Sequence, residues 1–106
     1  AMWDRGLDYF LRGAPALAVS YVPADAPFGA ADCGIALTFM ELAAVARGLG
    51  TCWAGLLTHA AKHSAPLREA LGLPQGMVVE GGLMLGYPKM RYVGVPPRNP
   101  ARLAWL

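Results

Sequence analysis

Apolar residues recur along this chain with two periods, one helical and one extended. At the start, Trp3, Leu7, Phe10 and Leu11 stand at i, i+4, i+7 and i+8, which predicts a helical fragment over residues 3–11. Arg12-Gly13-Ala14-Pro15 breaks it. Ala16 to Val22 (Ala-Leu-Ala-Val-Ser-Tyr-Val) is rich in residues that suit a pleated, buried surface and reads as a strand. Pro23, Asp25, Pro27 and Gly29 mark a loop. Asp32 then stands where an N-cap belongs, ahead of the longest helix, Cys33 to Arg47. Thr38, Glu41 and Arg47 form only a narrow polar stripe on it, while Ile35, Leu37, Phe39, Met40, Leu42 and Val45 point around most of the circumference. A helix this apolar is expected to be buried on several sides, as a central helix or at a subunit interface.

Two glycines end that helical pattern. Gly48-Leu-Gly-Thr-Cys-Trp-Ala-Gly55 reads as a helix end, a short Thr-Cys-Trp strand and a closing glycine. Leu56 to Lys62 follows as a short helix. Ser64 resembles a second N-cap, with Pro66 in the first turn and Leu67 to Leu71 after it. Met77 to Gly86 is the second clear strand, and Gly81-Gly82 inside it signals a bulge or a close backbone approach. From Tyr87 to Leu106 the chain carries Pro88, Pro96, Pro97 and Pro100. That segment is expected to be an extended arm with buried anchors at Tyr92, Leu103 and Trp105, able to cross onto a partner.

Composition sharpens this picture. The 106 residues suffice for one small domain. Of them 56% are hydrophobic and only 15% charged, against about 25% charged in typical domains. So much apolar surface on so small a domain calls for cover by another chain or a further segment. A membrane is the competing outlet, but the apolar run Cys33 to Val45 is interrupted by Thr38 and Glu41 and is shorter than the roughly 20 residues of a span. Neither a span nor an apolar leader at Ala-Met-Trp-Asp-Arg is expected. The net charge of +2 gives no field that would suggest nucleic acid. Cys33 and Cys52 lack metal-motif spacing, so two reduced, partly buried thiols in a cytoplasmic protein are the expectation.

Four features bear on chemistry. The Gly48–Gly55 junction could hold a planar ligand between exposed backbone N–H groups and the face of Trp53, or it is a helix cap followed by a buried strand. Its glycines leave a helix and enter a strand, the reverse of a dinucleotide fingerprint. His59 and His63 stand four apart on a helix, a spacing that suits one metal ion, but no third ligand offers itself and no metal is expected. The Trp and Ala around Cys52 make it read as an inert packed thiol and not as a nucleophile. Lys89 and Arg91 flank Met90 just after a strand. Two apart in an extended segment, they would point the same way, as a phosphate clamp or as two solvated charges.

Taken together, Arg-Gly-Ala-Pro-Ala-Leu (Arg12–Leu17), the helix Cys33–Arg47, Gly-Leu-Gly-Thr-Cys-Trp-Ala-Gly (Gly48–Gly55), Leu-Gly-Tyr-Pro-Lys-Met-Arg-Tyr (Leu85–Tyr92) and Pro-Pro-Arg-Asn-Pro (Pro96–Pro100) resemble the C-terminal half of a nitroreductase-family flavoprotein. The likeness runs in order over nearly the whole chain. It is greatest to members in which a ferredoxin-like segment can precede the flavin domain.

The resemblance implies an α+β fold: a mixed, largely antiparallel sheet flanked by helices. Residues 1–106 would be a single partial domain, with 87–106 as its C-terminal arm. It further implies an intertwined homodimer or higher oligomer that binds FMN and passes hydride or electrons from NAD(P)H to nitroaromatics, quinones or similar acceptors. Cys52, Trp53, Ala54 and Gly55 match the segment along the isoalloxazine, where a backbone N–H near Ala54 or Gly55 faces flavin N5. Lys89 and Arg91 match the basic pair on the FMN phosphate. No side chain is assigned as catalytic acid or base. The family's Arg-x-Ser-x-Arg-type phosphate motif and its early helices have no counterpart in the sequence, so the chain is expected to be about half a flavin domain. The alternative is a non-catalytic oligomerising fragment that binds no flavin.

Overall fold

A computed structural model describes residues 3–106. Ala1 and Met2, part of the N-terminal stretch read above for a leader, lie outside the described residues. Three strands, β1 (Ala16–Pro23), β2 (Gly50–Trp53) and β3 (Met77–Gly86), form one sheet in the order β1-β3-β2. Both pairings are antiparallel, with Leu17 opposite Met84 and Trp53 opposite Leu83. Three helices accompany it: α1 (Gly29–Ala46), α2 (Gly55–His63) and α3 (Ala65–Ala70). This is the expected α+β architecture.

The two glycines of β3 explain how the helices reach the sheet. A Cβ on Gly81 would collide with Leu37 of α1, and one on Gly82 would sit 3.3 Å from Ala54 and 3.5 Å from Leu57 of α2. Adjacent strand residues face opposite sides. α1 therefore lies on one face of β3 and α2 on the other. Both expected devices occur here, since the pairing with β1 slips between Ser20 and Tyr21 and leaves Glu80 as a bulge beside Gly81. On the α2 face, Ala54, Leu57 and Met84 form a buried cluster that Leu11, Leu17, Val19 and Leu67 extend. The α3 cap is as expected: Ser64 Oγ accepts from Leu67 N–H at 3.3 Å, with Pro66 in the first turn.

Two expectations need correction, and two that concern burial are not met within this single chain. The N-terminal fragment is a single 3₁₀ turn, Trp3–Arg5, because the chain reverses at Gly6 with φ of 69°. Beyond it, Asp8 accepts from the N–H groups of Phe10, Leu11 and Gly13 at 2.9–3.1 Å. Those donors, Leu11 foremost, hold the Asp8 carboxyl below its ordinary range. The turn is thus favoured above the unfolded carboxyl's pKa and loosens as the pH falls through the lowered value.

α1 starts at Gly29, so Asp32 lies in its first turn and Phe28 is the cap residue, without a side-chain bond. Ala30 and Ala31 are strong helix formers that carry the helix back past Asp32. The full 18 residues make α1 long and apolar enough, by length and composition, to cross a membrane. The sequence reading missed this by starting the count at Cys33.

Within this chain α1 buries one face only, through Gly29, Cys33, Leu37 and Ala44. Ile35, Phe39, Met40, Leu42 and Val45 are exposed, because a sheet of three strands covers just one side. Finally, residues 87–106 form no helix or strand. The anchors expected to be buried, Tyr92, Leu103 and Trp105, are exposed, since no part of the chain lies across them.

Candidate functional site

The turn that leaves α1 fixes where β2 lies. Gly48 takes φ of 77°, a conformation that suits glycine. Gly48 N–H donates to Val45 O and Leu49 N–H to Ala44 O, both at 3.0 Å. That is the paired bonding of a Schellman helix end, and it sends the chain back along α1 as β2. Gly48→Ala should therefore lower stability by about 1–2 kcal/mol, the cost of a left-handed alanine. Urea denaturation would measure it, and an unchanged midpoint would contradict the assignment.

β2 is an edge strand, paired only with β3. Thr51 and Trp53 share its α1-side face. There Glu41 of α1 bridges them: Thr51 Oγ1 donates to Glu41 Oε1 at 2.9 Å and Trp53 Nε1 to Glu41 Oε2 at 3.2 Å. Trp53 nevertheless stays 44% exposed. Cys52 points the other way. It is exposed, not the packed thiol its sequence neighbours suggested, because strand alternation turns Thr51 and Trp53 away from it.

The chain then passes through buried Ala54 into α2. Ala54 N–H donates to Gly82 O at 2.8 Å, so that amide belongs to the sheet. Gly55 opens α2 and is exposed. The first N–H groups of a helix have no acceptor within it. Among the two amides expected to meet a ring, Gly55 N–H is thus the open one, two residues after Trp53.

Lys89 and Arg91 follow β3. Pro88 packs on the start of β2, so close that a Cβ on Gly50 would sit 3.3 Å from Pro88 Cβ. Pro88 and Gly55 therefore lie towards opposite ends of β2, whose four residues span about 10 Å at strand rise. A bend at Lys89–Met90 interrupts the extended segment on which a common direction of Lys89 and Arg91 was expected. Both side chains are exposed, and neither forms an ion pair among the described residues.

His59 and His63 are exposed on α2 with ring centroids 4.9 Å apart. Among the described residues no third metal-ligating side chain joins them. Two shallow hollows, of about 400 and 470 Å³, lie at the opposite half of β3 around Arg68, Gly76 and Met77. The residue that sequence reasoning missed is Glu41. Its signal was a carboxylate well inside a largely apolar helix.

Comparison with known proteins bears on the family and the fold. The sequence model of the nitroreductase family matches residues 2–87. A protein of Archaeoglobus fulgidus, provisionally named an NADH dehydrogenase/NAD(P)H nitroreductase, is 41% identical over 58 residues, which is 55% of this chain and 33% of that protein. The FMN-bound crystal structure of a nitroreductase from Bacteroides fragilis superposes with a TM-score of 0.78 at 22% identity, over 99% of this chain and 59% of that one. Nitroreductase A of Vibrio parahaemolyticus gives 0.65 at 28% identity, over 84% and 43%. An iodotyrosine deiodinase bound to FMN and 3-iodo-L-tyrosine gives 0.65 at 21%, over 98% and 55%. The first and third likenesses, at such low identity, speak to the fold alone. The chain spans a third of the length of the curated relative it matches.

Proposed function

The chain belongs to the nitroreductase family, and from that premise we propose that it supplies part of an FMN-dependent oxidoreductase. The reaction would pass hydride or electrons from NAD(P)H to a nitroaromatic, quinone or similar acceptor. One observation carries the reading most directly: the open Gly55 amide follows the exposed Trp53 by two residues at one end of β2, with Pro88 packed on the other end just before Lys89 and Arg91.

The residues present fit the group on one side. Gly55 N–H would donate to the polar edge of the ring, and Trp53 would shield part of it from water. Lys89 and Arg91 would meet the dianionic phosphate, Arg91 with a fork that matches phosphate oxygens. FMN, when bound, supplies the hydride and electron chemistry itself. The protein's part is to bind, orient and exclude water, and for this no acid or base among these side chains is needed.

In a complete form of the protein, Lys89→Ala or Arg91→Ala should each weaken FMN binding by about 1.5–3 kcal/mol, the usual worth of a charge-assisted bond. Both side chains are exposed, so stability should barely change. Unchanged FMN affinity in the double variant would remove the pair from the site.

The exposed apolar face of α1 and the uncovered arm favour assembly into a homodimer or higher oligomer. They also support a second reading, an oligomerising fragment that binds no flavin. The visible spectrum of the purified protein separates the two. Flavin absorbance supports the oxidoreductase reading, and a colourless, stable oligomer supports the second.

A further inference from the structure

We propose that Glu41 is a positioning residue for the ring-facing segment: it fixes the pose of the Trp53 indole and ties the short edge strand β2 to α1. The functional meaning of that segment rests on the flavin reading above.

β2 has four residues and a sheet partner on one side only. Such a strand has few ladder bonds to hold it. Its second attachment is the Glu41 carboxylate, which binds Thr51 with one oxygen and Trp53 with the other. An indole has a single donor and no acceptor, so Nε1–H is the one polar handle by which Trp53 can be oriented. At the far side of the ring, Trp53 Cζ3 lies 3.7 Å from the place a Cβ on Gly81 would occupy. The indole therefore reaches from Glu41 on α1 to the backbone of Gly81 on β3. Only Ala54 separates Trp53 from Gly55, and Ala54 is tied to Gly82 O at 2.8 Å.

A carboxylate is suited to this task because it offers two acceptor oxygens and makes charge-assisted bonds. Glutamine can keep both contacts, with its oxygen on Trp53 and its amide on a turned Thr51 hydroxyl. Alanine can keep neither.

The test is nuclear magnetic resonance of the labelled full chain without flavin, with the Trp53 indole signal assigned by Trp53→Phe. In the native chain the Trp53 Nε1–H should be protected from exchange at least tenfold relative to a free indole. Glu41→Gln should keep the protection. Glu41→Ala should lose it and shift the Thr51 and Trp53 backbone amides, with the α2 and β3 amides in place. An unprotected Trp53 indole in the native chain, or one still protected in Glu41→Ala, would overturn the proposal. Loss in alanine with rescue by the conservative glutamine is what a merely space-filling role would not give. Because no flavin is present, these readouts decide the role of Glu41 separately. Failure of every form to bind FMN would count against the flavin reading alone.

Discussion

Titrated with FMN on its own, the chain is expected to take up little or none. Its described residues offer one side of a site. Trp53 presents a partly exposed face, Gly55 one open amide, and Lys89 and Arg91 two exposed cations on a segment without helix or strand. The arginine-rich phosphate motif expected from the resemblance does not occur in the sequence. Each charge-assisted bond that goes unmade costs about 1.5–3 kcal/mol, and every 1.4 kcal/mol is about tenfold in affinity. Two or three such bonds amount to several orders of magnitude. A ring stacked on one indole also keeps its other face wet, so little apolar burial offsets the loss. Absorbance and flavin fluorescence during the titration would measure this. Repeating it after co-expression with the N-terminal half of a related flavoprotein should raise the affinity. Tight stoichiometric uptake by the chain alone would show that the site is more complete than these residues indicate.

Leu83→Ala should be the most damaging single change to the fold. Leu83 is 0% exposed at the middle of β3, opposite Ala18 of β1 and Trp53 of β2. Truncating a buried leucine costs about 2–5 kcal/mol, because the cavity closes only in part. Domains hold about 5–15 kcal/mol in all, so a small one with much apolar surface uncovered has little to spare. The urea midpoint should fall sharply with an unchanged slope. Val93→Ala, on the exposed arm, serves as the control and should move it by no more than about 0.5 kcal/mol. Equal midpoints for the two variants would mean that β3 is not the centre of the core.

Strands β1 and β3 and helices α2 and α3 were legible in the sequence, because each is a local pattern closed by its own Pro, Gly or Ser signal. The Gly48–Gly55 junction was legible for the same reason. What could not be read depended on contacts between elements. The start of α1 is set by Ala30-Ala31 and by Gly29 fitting against Val22, where a Cβ would come within 2.6 Å. The N-terminal apolar spacing mimicked a helix over nine residues that Gly6 and the Asp8 turn divert. Cys52 was misjudged from its neighbours in sequence, when strand alternation decides its exposure. Lys89 and Arg91 were correctly placed after a strand, but the bend between them is a tertiary matter, tied to Pro88 lying on Gly50. Glu41 could be seen as a polar interruption of α1. Its partners became visible only once β2 was laid beside it.

The strand order has a consequence for how the chain comes to fold. β1 and β2 never touch each other in the sheet, and each pairs only with β3, the last of the three to be synthesised. Pro23 must find Met77 across the whole span of α1, β2, α2 and α3. Until Met77–Gly86 emerges, no ladder can close, and the apolar helix α1 has no β3 backbone to dock against. Long-range pairing of this kind delays folding, since loop-closure entropy is lost before any contact rewards it. During that interval the apolar side chains of α1 and the single strand β1 are open to other chains. Folding on the ribosome should therefore wait for β3, and nascent chains that stop before Met77 should be captured by chaperones, whereas those extended past Gly86 should escape.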